Sequence, residues 1–392
     1  MQCVILAAGK STRTFPLTLA KPKVLLKVAG KTIIEHTLSE LQDIVTEAII
    51  IVGYKDNMIR DFVGKKFGKI RIRYLYQKTQ DGNGNALLLA KDFLKERFLV
   101  LLGDDIYCGK DIKKCTKHKY CLLVQETEDL SRFGQVIIKN KGVDELKEKP
   151  GLRKGYANCG IMVLDNFIFR HKLIKSERGE FEITDFINYL VESKQTVAVE
   201  EATSWVPITY PWSLLDANEM LLKDIKPKIE GEIEKGATVK GNIKLGKGSI
   251  LKSGAYIEGN VIIGKNCSIG PNCYIRGCST IGDNCKIGNA VEVKNSIIGD
   301  NCSVGHLSYI GDSVLGDNVN IAAGTITANL RHDDSNVHSF VKNDLVDSTR
   351  RKLGAIIADG VHTGINTSIY PGRKIWPDKS TLPGEIVRKD IE

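Results

Sequence analysis

The chain has 392 residues, of which 42% are hydrophobic and 26% are charged, and its formal net charge is +9. This length predicts two or three domains, and no apolar run is long enough to span a membrane. The basic residues form no long block and have few aromatic residues among them, which favours small anionic ligands over nucleic acid. The ten cysteines form no CxxC pair, and the sequence starts on a strand-like segment without a signal peptide. We therefore expect reduced cysteines and a cytoplasmic protein.

The first part of the chain, to about residue 225, alternates apolar strands with helical segments. The predicted strands are residues 3–8, 47–52, 71–76 and 98–102, and the predicted helices are residues 32–41 and 85–95. This alternation is typical of an α/β domain with a mostly parallel sheet. Ligands of such sheets bind beyond the carboxyl ends of the strands.

A loop rich in small and basic residues follows the first strand. It reads Leu6-Ala-Ala-Gly-Lys-Ser-Thr-Arg13, and Pro22-Lys23 follows it. The loop is neither a GxGxxG fingerprint nor a Walker A motif. Its backbone N–H groups are suited to cradling phosphates, although a solvated basic loop would have the same composition.

A buried strand ends at Leu101-Leu-Gly-Asp104-Asp105. A carboxylate at the carboxyl end of such a strand is suited to Mg²⁺ bound together with a nucleotide. A turn closed by a capping aspartate is an equally good interpretation of this segment alone.

The segment 77–86 joins a predicted strand to a predicted helix and contains Gln77, Gly82 and Gly84. The amide of Gln77 has the donors and acceptors needed to pair with a base edge. We expect the glycines to let a flat ligand approach the backbone, while an ordinary loop remains the alternative.

From residue 239 to residue 293 an aliphatic residue occurs at every sixth position. The series is Val239, Leu245, Leu251, Ile257, Ile263, Ile269, Ile275, Ile281, Ile287 and Val293. A six-residue period fits neither a helix nor an ordinary strand, and it predicts a parallel β-helix with three strands in each coil. A second domain is therefore predicted for residues 226–392.

A small or apolar residue lies two positions before each member of this series, and both positions are expected to point inward. Cys267, Cys273, Cys285 and Cys302 fall on these inner positions, which predicts buried thiols. The register slips by one residue near Asn295 and again before Leu315, and such irregularities re-aim side chains.

Arg276 and Lys294 each follow an aliphatic member of the series and are eighteen residues apart. They are therefore expected to stack on adjacent coils, about 4.7–4.9 Å apart. Two stacked cations that point outward predict a phosphate site.

Taken together, these segments resemble the sugar-1-phosphate nucleotidyltransferase family, most closely its archaeal-type two-domain members that also carry an acetyltransferase domain. The resemblance implies a Rossmann-like α/β domain followed by a left-handed parallel β-helix. In the first domain it implies catalytic roles for Arg13, Lys23 and Asp104, Mg²⁺ ligation by Asp104 and Asp216, nucleotide binding by Leu6, Ala7, Ala8, Gly9, Gln77, Gly82 and Asn83, and sugar binding by Gly134, Glu148 and Asn158.

The motifs of the second domain, Gly305-His306-Leu-Ser-Tyr309-Ile-Gly-Asp312 and the segment from Gly316 to Asn329, resemble the acetyltransferase β-helix. The resemblance implies that His306 is a general base and that a backbone N–H at Ala323 faces the acetyl-CoA thioester. It assigns the sugar phosphate to Arg276, Lys294, Tyr309, Asn320 and Asn329. It also implies a homotrimer that uses UTP and acetyl-CoA.

The sequence departs from the family pattern at Ser11, which replaces a glycine, and at Asp81 and Asn83 in the base-reading segment. The choice between UTP and dTTP therefore stays open. Leu330, Arg331 and Ser335 also differ from bacterial members, which leaves glucosamine and galactosamine as alternative sugars. Rival interpretations are a nucleotidyltransferase with a β-helix that only regulates or oligomerises, a non-enzymatic scaffold, and an acetyltransferase with an inactive first domain.

Overall fold

The structure is a computed structural model that describes residues 1–151 and 154–392. Its contacts divide the chain into two compact units. The first consists of Met1–Lys10 and Ile33–Pro207, and the second of Ser11–Thr32 and Ile208–Glu392. The segment Ser11–Thr32, which includes the end of the predicted phosphate loop, thus belongs by its packing to the second unit. A domain boundary near residue 225 stays a prediction.

The first unit is built on one ten-stranded sheet. In spatial order its strands are Gln135–Lys139, Gly142–Lys147, Ala198–Glu201, Cys121–Thr127, Gly155–Asp165, Arg97–Leu102, Gln2–Ala7, Glu47–Val52, Ile70–Tyr76 and Lys66–Phe67. The four predicted strands lie side by side and are parallel, so their carboxyl ends share one edge. The rest of the sheet is mostly antiparallel, which corrects the expectation of a mostly parallel sheet. Direct connections such as the turn at Asn140 and Lys141, both with positive φ, leave no room for a helical crossover.

Helices of the first unit lie between these strands. They are Ile33–Glu40, Asp56–Val63, Asn83–Leu88, Gly109–Cys115 and Thr184–Glu192, with 3-10 turns at Lys91–Phe93 and Asn166–Arg170 and a small sheet that pairs Asp105–Tyr107 with Trp205–Pro207. The predicted helix 85–95 is wrong in both bounds. It begins at Asn83, directly after Gly82 with its φ of 100°, and gives way to the 3-10 turn after Leu88.

The second unit contains three parallel sheets that the chain visits in turn, which is the arrangement of a parallel β-helix. Face 1 consists of Lys228–Ile229, Ile243–Leu245, Val261–Ile263, Ser279–Ile281, Ile297–Ile298, Val314–Leu315, Ile356–Ile357 and Lys374–Ile375. Face 2 consists of Glu232–Ile233, Ile250–Leu251, Ser268–Ile269, Lys286–Ile287, Ser303–Val304 and Asn320–Ile321. Face 3 consists of Thr238–Lys240, Tyr256–Glu258, Tyr274–Arg276, Glu292–Lys294, Tyr309–Gly311, Ile326–Thr327, Ser368–Ile369 and Ile386–Val387.

The remaining elements of this unit lie outside the coils. They are the turns and short helix Thr12–Thr14, Leu17–Ala20 and Lys23–Leu25, the paired strands Lys27–Val28 and Lys31–Thr32, the helix Ser213–Leu222 and the hairpin His338–Val341 with Asp344–Asp347. Lys21 forms ion pairs with Asp317 and with Asp359, the latter at 2.9 Å, and Lys27 pairs with Asp300. These contacts fix the segment Ser11–Thr32 to the coils of its own unit. Within residues 1–151 and 154–392, no helix combines the length and the hydropathy that a membrane span requires.

The core of the β-helix confirms the six-residue pattern. Every aliphatic member from Leu245 to Val293 is buried, and Val239 is partly buried against the same cluster. The inner residues from Ile243 to Val291 are buried as predicted, whereas Ala237 is partly buried. The thiols of Cys267, Cys273, Cys285 and Cys302 are buried. Pairs across coils change from eighteen residues apart to seventeen after Asn295, for example Ile281 with Ile298, which confirms the predicted slip.

Replacing Ile275 with alanine should lower the free energy of unfolding by about 2–5 kcal/mol, because the side chain is 0% exposed and the cavity cannot close in a stacked core. Ile275 stacks on Ile257 and Val293 of the adjacent coils. Urea unfolding followed by circular dichroism would measure the change. The control is Lys244→Ala on the outward position of a strand, which should change stability by less than about 0.5 kcal/mol. Equal losses in the two variants would contradict the stacked-core account.

Candidate active sites

In the first unit, the carboxyl edge of the parallel strands brings together Asp104 and the start of the predicted loop, residues 6–9. The backbone N–H of Gly103 donates to the carbonyl of Leu6 at 2.9 Å, which sets the half-buried Asp104 beside the end of the first strand. The carbonyl of Ala8 accepts hydrogen bonds from the Tyr54 N–H at 3.0 Å and from Nε2 of Gln80 at 2.8 Å. Residues 6–9 are therefore held at the edge where ligands of such sheets bind.

The predicted base-reading segment is ordered by its own side chains. Gln77 is 5% exposed, and its Nε2 donates to the carbonyl of Gly82 and to Oδ1 of Asn85, both at 3.1 Å. Oδ1 of Asn83 accepts a hydrogen bond from the N–H of Ile183 at 2.8 Å.

The structure gives Gly82 and Gly84 a packing role that the sequence did not predict. A Cβ on Gly82 would lie 2.4 Å from the carbonyl oxygen of Phe181, and one on Gly84 would lie 2.8 Å from that of Glu182. They are therefore required for packing against the chain at 181–182. The expectation that they let a flat ligand approach the backbone stays a prediction.

The three predicted sugar-binding residues of the first unit lie close together. The N–H of Asn158 donates to the carbonyl of Gly134 at 2.8 Å, and the Cα of Gly134 faces the carboxylate of Glu148. Nη1 of Arg178 bridges Glu148 at 2.9 Å and Glu182 at 3.3 Å. Burial raises the pKa of Glu182 above its usual range.

Ser11, Arg13 and Lys23 belong to the second unit. Ser11 has φ 53° and ψ 50°, the left-handed conformation that a glycine adopts most easily, so serine retains the turn. Its carbonyl accepts hydrogen bonds from the hydroxyl groups of Thr14 at 2.7 Å and Thr18 at 3.0 Å. Arg13 is exposed in the turn that follows, whereas Lys23 is 7% exposed.

Asp216 lies in the first turn of the helix Ser213–Leu222, and its carboxylate is 49% exposed. One carboxylate oxygen accepts a hydrogen bond from Nη1 of Arg350, whose Nη2 donates to Glu219 at 2.7 Å. Arg350 is itself only 14% exposed and sits outside the coils, in the segment between faces 3 and 1.

The donor chemistry of the two predicted metal ligands fits Mg²⁺, since both Asp104 and Asp216 offer carboxylate oxygens. Among the residues that the structure describes, no cluster of three or more acidic, histidine or cysteine side chains is arranged to hold a metal. An ion at Asp216 would have to share the carboxylate with Arg350.

Face 3 places the two predicted phosphate cations as the spacing indicated. Arg276 and Lys294 occupy paired positions of adjacent strands, so their stacking is confirmed. Each cation also has a carboxylate that the sequence did not reveal. Nε of Arg276 donates to Glu292 at 2.8 Å, and Nζ of Lys294 donates to Asp312 at 2.7 Å.

Tyr309 and Asn329 join this cluster. Nδ2 of Asn329 donates to the hydroxyl oxygen of Tyr309 at 3.1 Å and to Oδ2 of Asp312 at 2.5 Å. Burial raises the pKa of Tyr309, so its hydroxyl stays protonated near neutral pH and remains a donor. The structure therefore brings four of the five predicted sugar-phosphate residues to one place: Arg276, Lys294, Tyr309 and Asn329.

His306 and Ala323 form a second group at a corner of the coils. The N–H of Gly324 donates to the carbonyl of His306 at 2.8 Å, which stacks Ala323 on His306. The imidazole of His306 is exposed. Asn320, the fifth predicted sugar-phosphate residue, lies on face 2 and is exposed.

Sequence reasoning missed Asp312 and Arg350 as organisers of these groups. Asp312 is the last residue of the motif that begins at Gly305, but its contacts depend on which residues stack across coils. The role of Arg350 has no local signal in the sequence, because its partners lie 134 and 131 residues earlier in the chain.

Two family models match the chain. The Nucleotidyl transferase model matches residues 2–224, and the GMPPB C-terminal domain model matches residues 233–332. The crystal structure of a putative glucose-1-phosphate thymidylyltransferase from Bacillus anthracis covers 58% of this chain and 97% of its own, with 31% identity and a TM-score of 0.52. The fold and the first site thus define a nucleotidyltransferase that continues into a β-helix.

Relatives extend the similarity over the whole chain. Bifunctional protein GlmU of Methanocaldococcus jannaschii is 39% identical and covers 100% of this chain and 96% of itself. A bifunctional sugar-1-phosphate nucleotidylyltransferase/acetyltransferase of Sulfurisphaera tokodaii is 34% identical. The similarity covers 100% of this chain and 98% of that protein. The chain belongs to the bifunctional GlmU family, and it is an enzyme with a nucleotidyltransferase and an acetyltransferase part.

Proposed function

We propose that the protein makes a UDP-N-acetylhexosamine in two steps, acetylation of an amino-sugar 1-phosphate followed by uridylyl transfer. The observation that carries this proposal is the face 3 cluster of Lys294, Tyr309, Asp312 and Asn329 beside the stacked Arg276. A β-helix that served only as a scaffold would not need such a set of buried polar contacts.

In the acetyl transfer, the amine nitrogen of the sugar attacks the thioester carbonyl of acetyl-CoA. His306 accepts the amine proton as a general base, the role that histidine fills most often in enzymes. The backbone N–H of Ala323 stabilises the oxyanion before the C–S bond breaks and the thiol leaves. The residues that hold the sugar phosphate are Arg276, Lys294, Tyr309, Asn320 and Asn329. Both cations of this set also have a carboxylate partner.

In the uridylyl transfer, a phosphate oxygen of the N-acetyl sugar phosphate attacks the α-phosphorus of UTP and pyrophosphate leaves. Arg13 and Lys23 stabilise the charge of the leaving group. The backbone of Leu6, Ala7, Ala8, Gly9 and Gly82 and the side chains of Gln77 and Asn83 hold the nucleotide. Gly134, Glu148 and Asn158 hold the sugar. Asp104 and Asp216 would hold Mg²⁺. When bound, Mg²⁺ would neutralise phosphate charge.

We further propose a left-handed coil and a homotrimer of it. The corner around His306 carries exposed apolar side chains, with Leu307 67%, Ile365 53% and Leu382 73% exposed. A convex coil cannot enclose a substrate, and patches of this kind mark protein interfaces. A second copy that covers the patch would complete the acetyl site. All ten cysteines are free thiols, which supports a reducing, cytoplasmic location for the reaction.

One observation favours a second candidate function. The family model that matches residues 233–332 is named for the C-terminal domain of GMPPB. Under this alternative the protein is a nucleotidyltransferase whose β-helix only oligomerises or regulates.

Product analysis separates the two candidates. The purified protein would receive Mg²⁺, UTP or dTTP, and glucosamine or galactosamine 1-phosphate, each with and without acetyl-CoA. The proposed function predicts a UDP-N-acetyl sugar, identified by mass, only when acetyl-CoA is present. The alternative predicts that N-acetylated sugar phosphate must be supplied for the same product to form.

A further inference from the structure

One corner of the β-helix, between faces 3 and 1, is formed by glycine on most coils. Gly241, Gly259, Gly277 and Gly354 occupy it, and the first three have φ between 71° and 123°. On the two coils between Gly277 and Gly354 the same position holds Asn295 and Asp312. These two residues have φ of 46° and 47°, the left-handed region that side chains disfavour. The two predicted register slips follow directly after them.

The left-handed conformation alone does not distinguish these two residues, because other corners of the β-helix adopt it, for example at Asn284, Ala290 and Leu307. What distinguishes Asp312 is its side chain. Its carboxylate is only 4% exposed and receives three side-chain hydrogen bonds.

These hydrogen bonds connect Asp312 to the residues assigned to the sugar phosphate. Nζ of Lys294 lies 2.7 Å from Oδ2, Nδ2 of Asn329 lies 2.5 Å from the same oxygen, and Nδ2 of Asn295 lies 2.9 Å from Oδ1. A buried carboxylate needs such donors, since an unpaired charge there would be strongly disfavoured. In return the carboxylate fixes the direction of Lys294 and Asn329.

We propose that Asp312 is a positioning residue of the acetyl-transfer site, which holds Lys294 and Asn329 in the orientation that binds the phosphate of the amino sugar. The proposal rests on the acetyl-transfer function proposed above. Asp312 does not touch the reacting atoms. Its effect is therefore on binding of the sugar phosphate, while the thioester carbonyl is handled by His306 and Ala323.

Asn295 supports this arrangement from outside the coil. Its Nδ2 also lies 2.9 Å from Oε1 of Glu219, which Arg350 holds at 2.7 Å. The side chain of Asp312 is thus backed by the helix Ser213–Leu222 and by the segment that carries Arg350. Removing Asn295 should loosen Asp312 without removing its charge.

The test measures the KM of both substrates of acetyl transfer for Asp312→Asn. The amide presents donors to Lys294 and Asn329, so the KM for glucosamine 1-phosphate should rise on the order of 10- to 100-fold. The KM for acetyl-CoA should stay within about twofold, a split that general loss of structure does not produce. Asp283→Asn is the matched control, since Asp283 accepts a backbone N–H at 2.7 Å on another corner of the same β-helix. It should leave both constants unchanged.

A double-mutant cycle with Lys294→Met separates positioning from an independent effect. If Asp312 acts through Lys294, the double variant should be much less impaired than the product of the two single effects. Should Asp312→Asn fail to fold, Asn295→Gly takes its place, because glycine suits the left-handed corner. That variant should raise the KM for the sugar phosphate about two- to fivefold.

An unchanged KM for the sugar phosphate in a folded Asp312→Asn protein would overturn the proposal, and so would fully multiplicative effects in the cycle. Equal rises in both KM values would also overturn it. Absence of acetyl transfer from the unmodified protein is a different result, because it would remove the proposed function itself.

Discussion

Replacing His306 with alanine is expected to lower the rate of acetyl transfer about 10²- to 10⁴-fold, because the amine loses the base that accepts its proton. The side chain is exposed at a corner of the coils, so the fold should be unaffected. Thiol release from acetyl-CoA at saturating glucosamine 1-phosphate would measure the loss. The rate should partly recover at high pH, where more of the amine is already deprotonated.

Two controls make the His306 result specific. Uridylyl transfer by the same variant should be unchanged, since His306 is not among the residues assigned to that reaction and its side chain is exposed. His332→Ala, at another exposed histidine, should leave both rates unchanged. Loss of both activities in a folded His306→Ala protein would contradict the two-site account.

Replacing Asp104 with asparagine should impair uridylyl transfer and leave acetyl transfer intact. The variant loses the charge that would hold Mg²⁺ against the phosphates, and uridylyl transfer should fall on the order of 10²- to 10³-fold. Pyrophosphate release would measure this rate. Acetyl transfer should not change.

The matched control for Asp104 is Asp61→Asn, at an exposed aspartate of the same unit. It should leave uridylyl transfer unchanged. Direct Mn²⁺ binding, followed by the resonance of free Mn²⁺ in the presence of UTP, should also weaken in Asp104→Asn and not in Asp61→Asn. Equal Mn²⁺ binding by both variants would contradict a metal-binding role for Asp104.

The interior of the β-helix was predictable from the sequence because every coil needs aliphatic side chains at the same inward positions. Ile257, Ile275 and Val293 stack on one another, so the same kind of side chain recurs at a fixed interval. The stacking of Arg276 on Lys294 follows from the same fixed interval between adjacent coils. The parallel strands of the first unit were predictable for a related reason, since continuous apolar runs mark strands buried on both faces.

Other features depend on long-range contacts that no local pattern encodes. Ser11–Thr32 groups with the second unit by packing, and Lys21 meets Asp317 almost 300 residues further along the chain. Asn295 and Asp312 occupy a corner at which most other coils have glycine, and this can be recognised only when the stacking register is known. Asp216 and Arg350 likewise meet only through folding, so the ion pair on a predicted metal ligand had no signal in the sequence.

Thiol release from acetyl-CoA by the purified protein shows whether the β-helix itself catalyses acetyl transfer. With glucosamine or galactosamine 1-phosphate present, the account predicts thiol release that depends on the sugar phosphate and disappears in His306→Ala. No release with either amino sugar, from protein that still produces UDP-sugars, would contradict the claim and leave a nucleotidyltransferase with a β-helical scaffold.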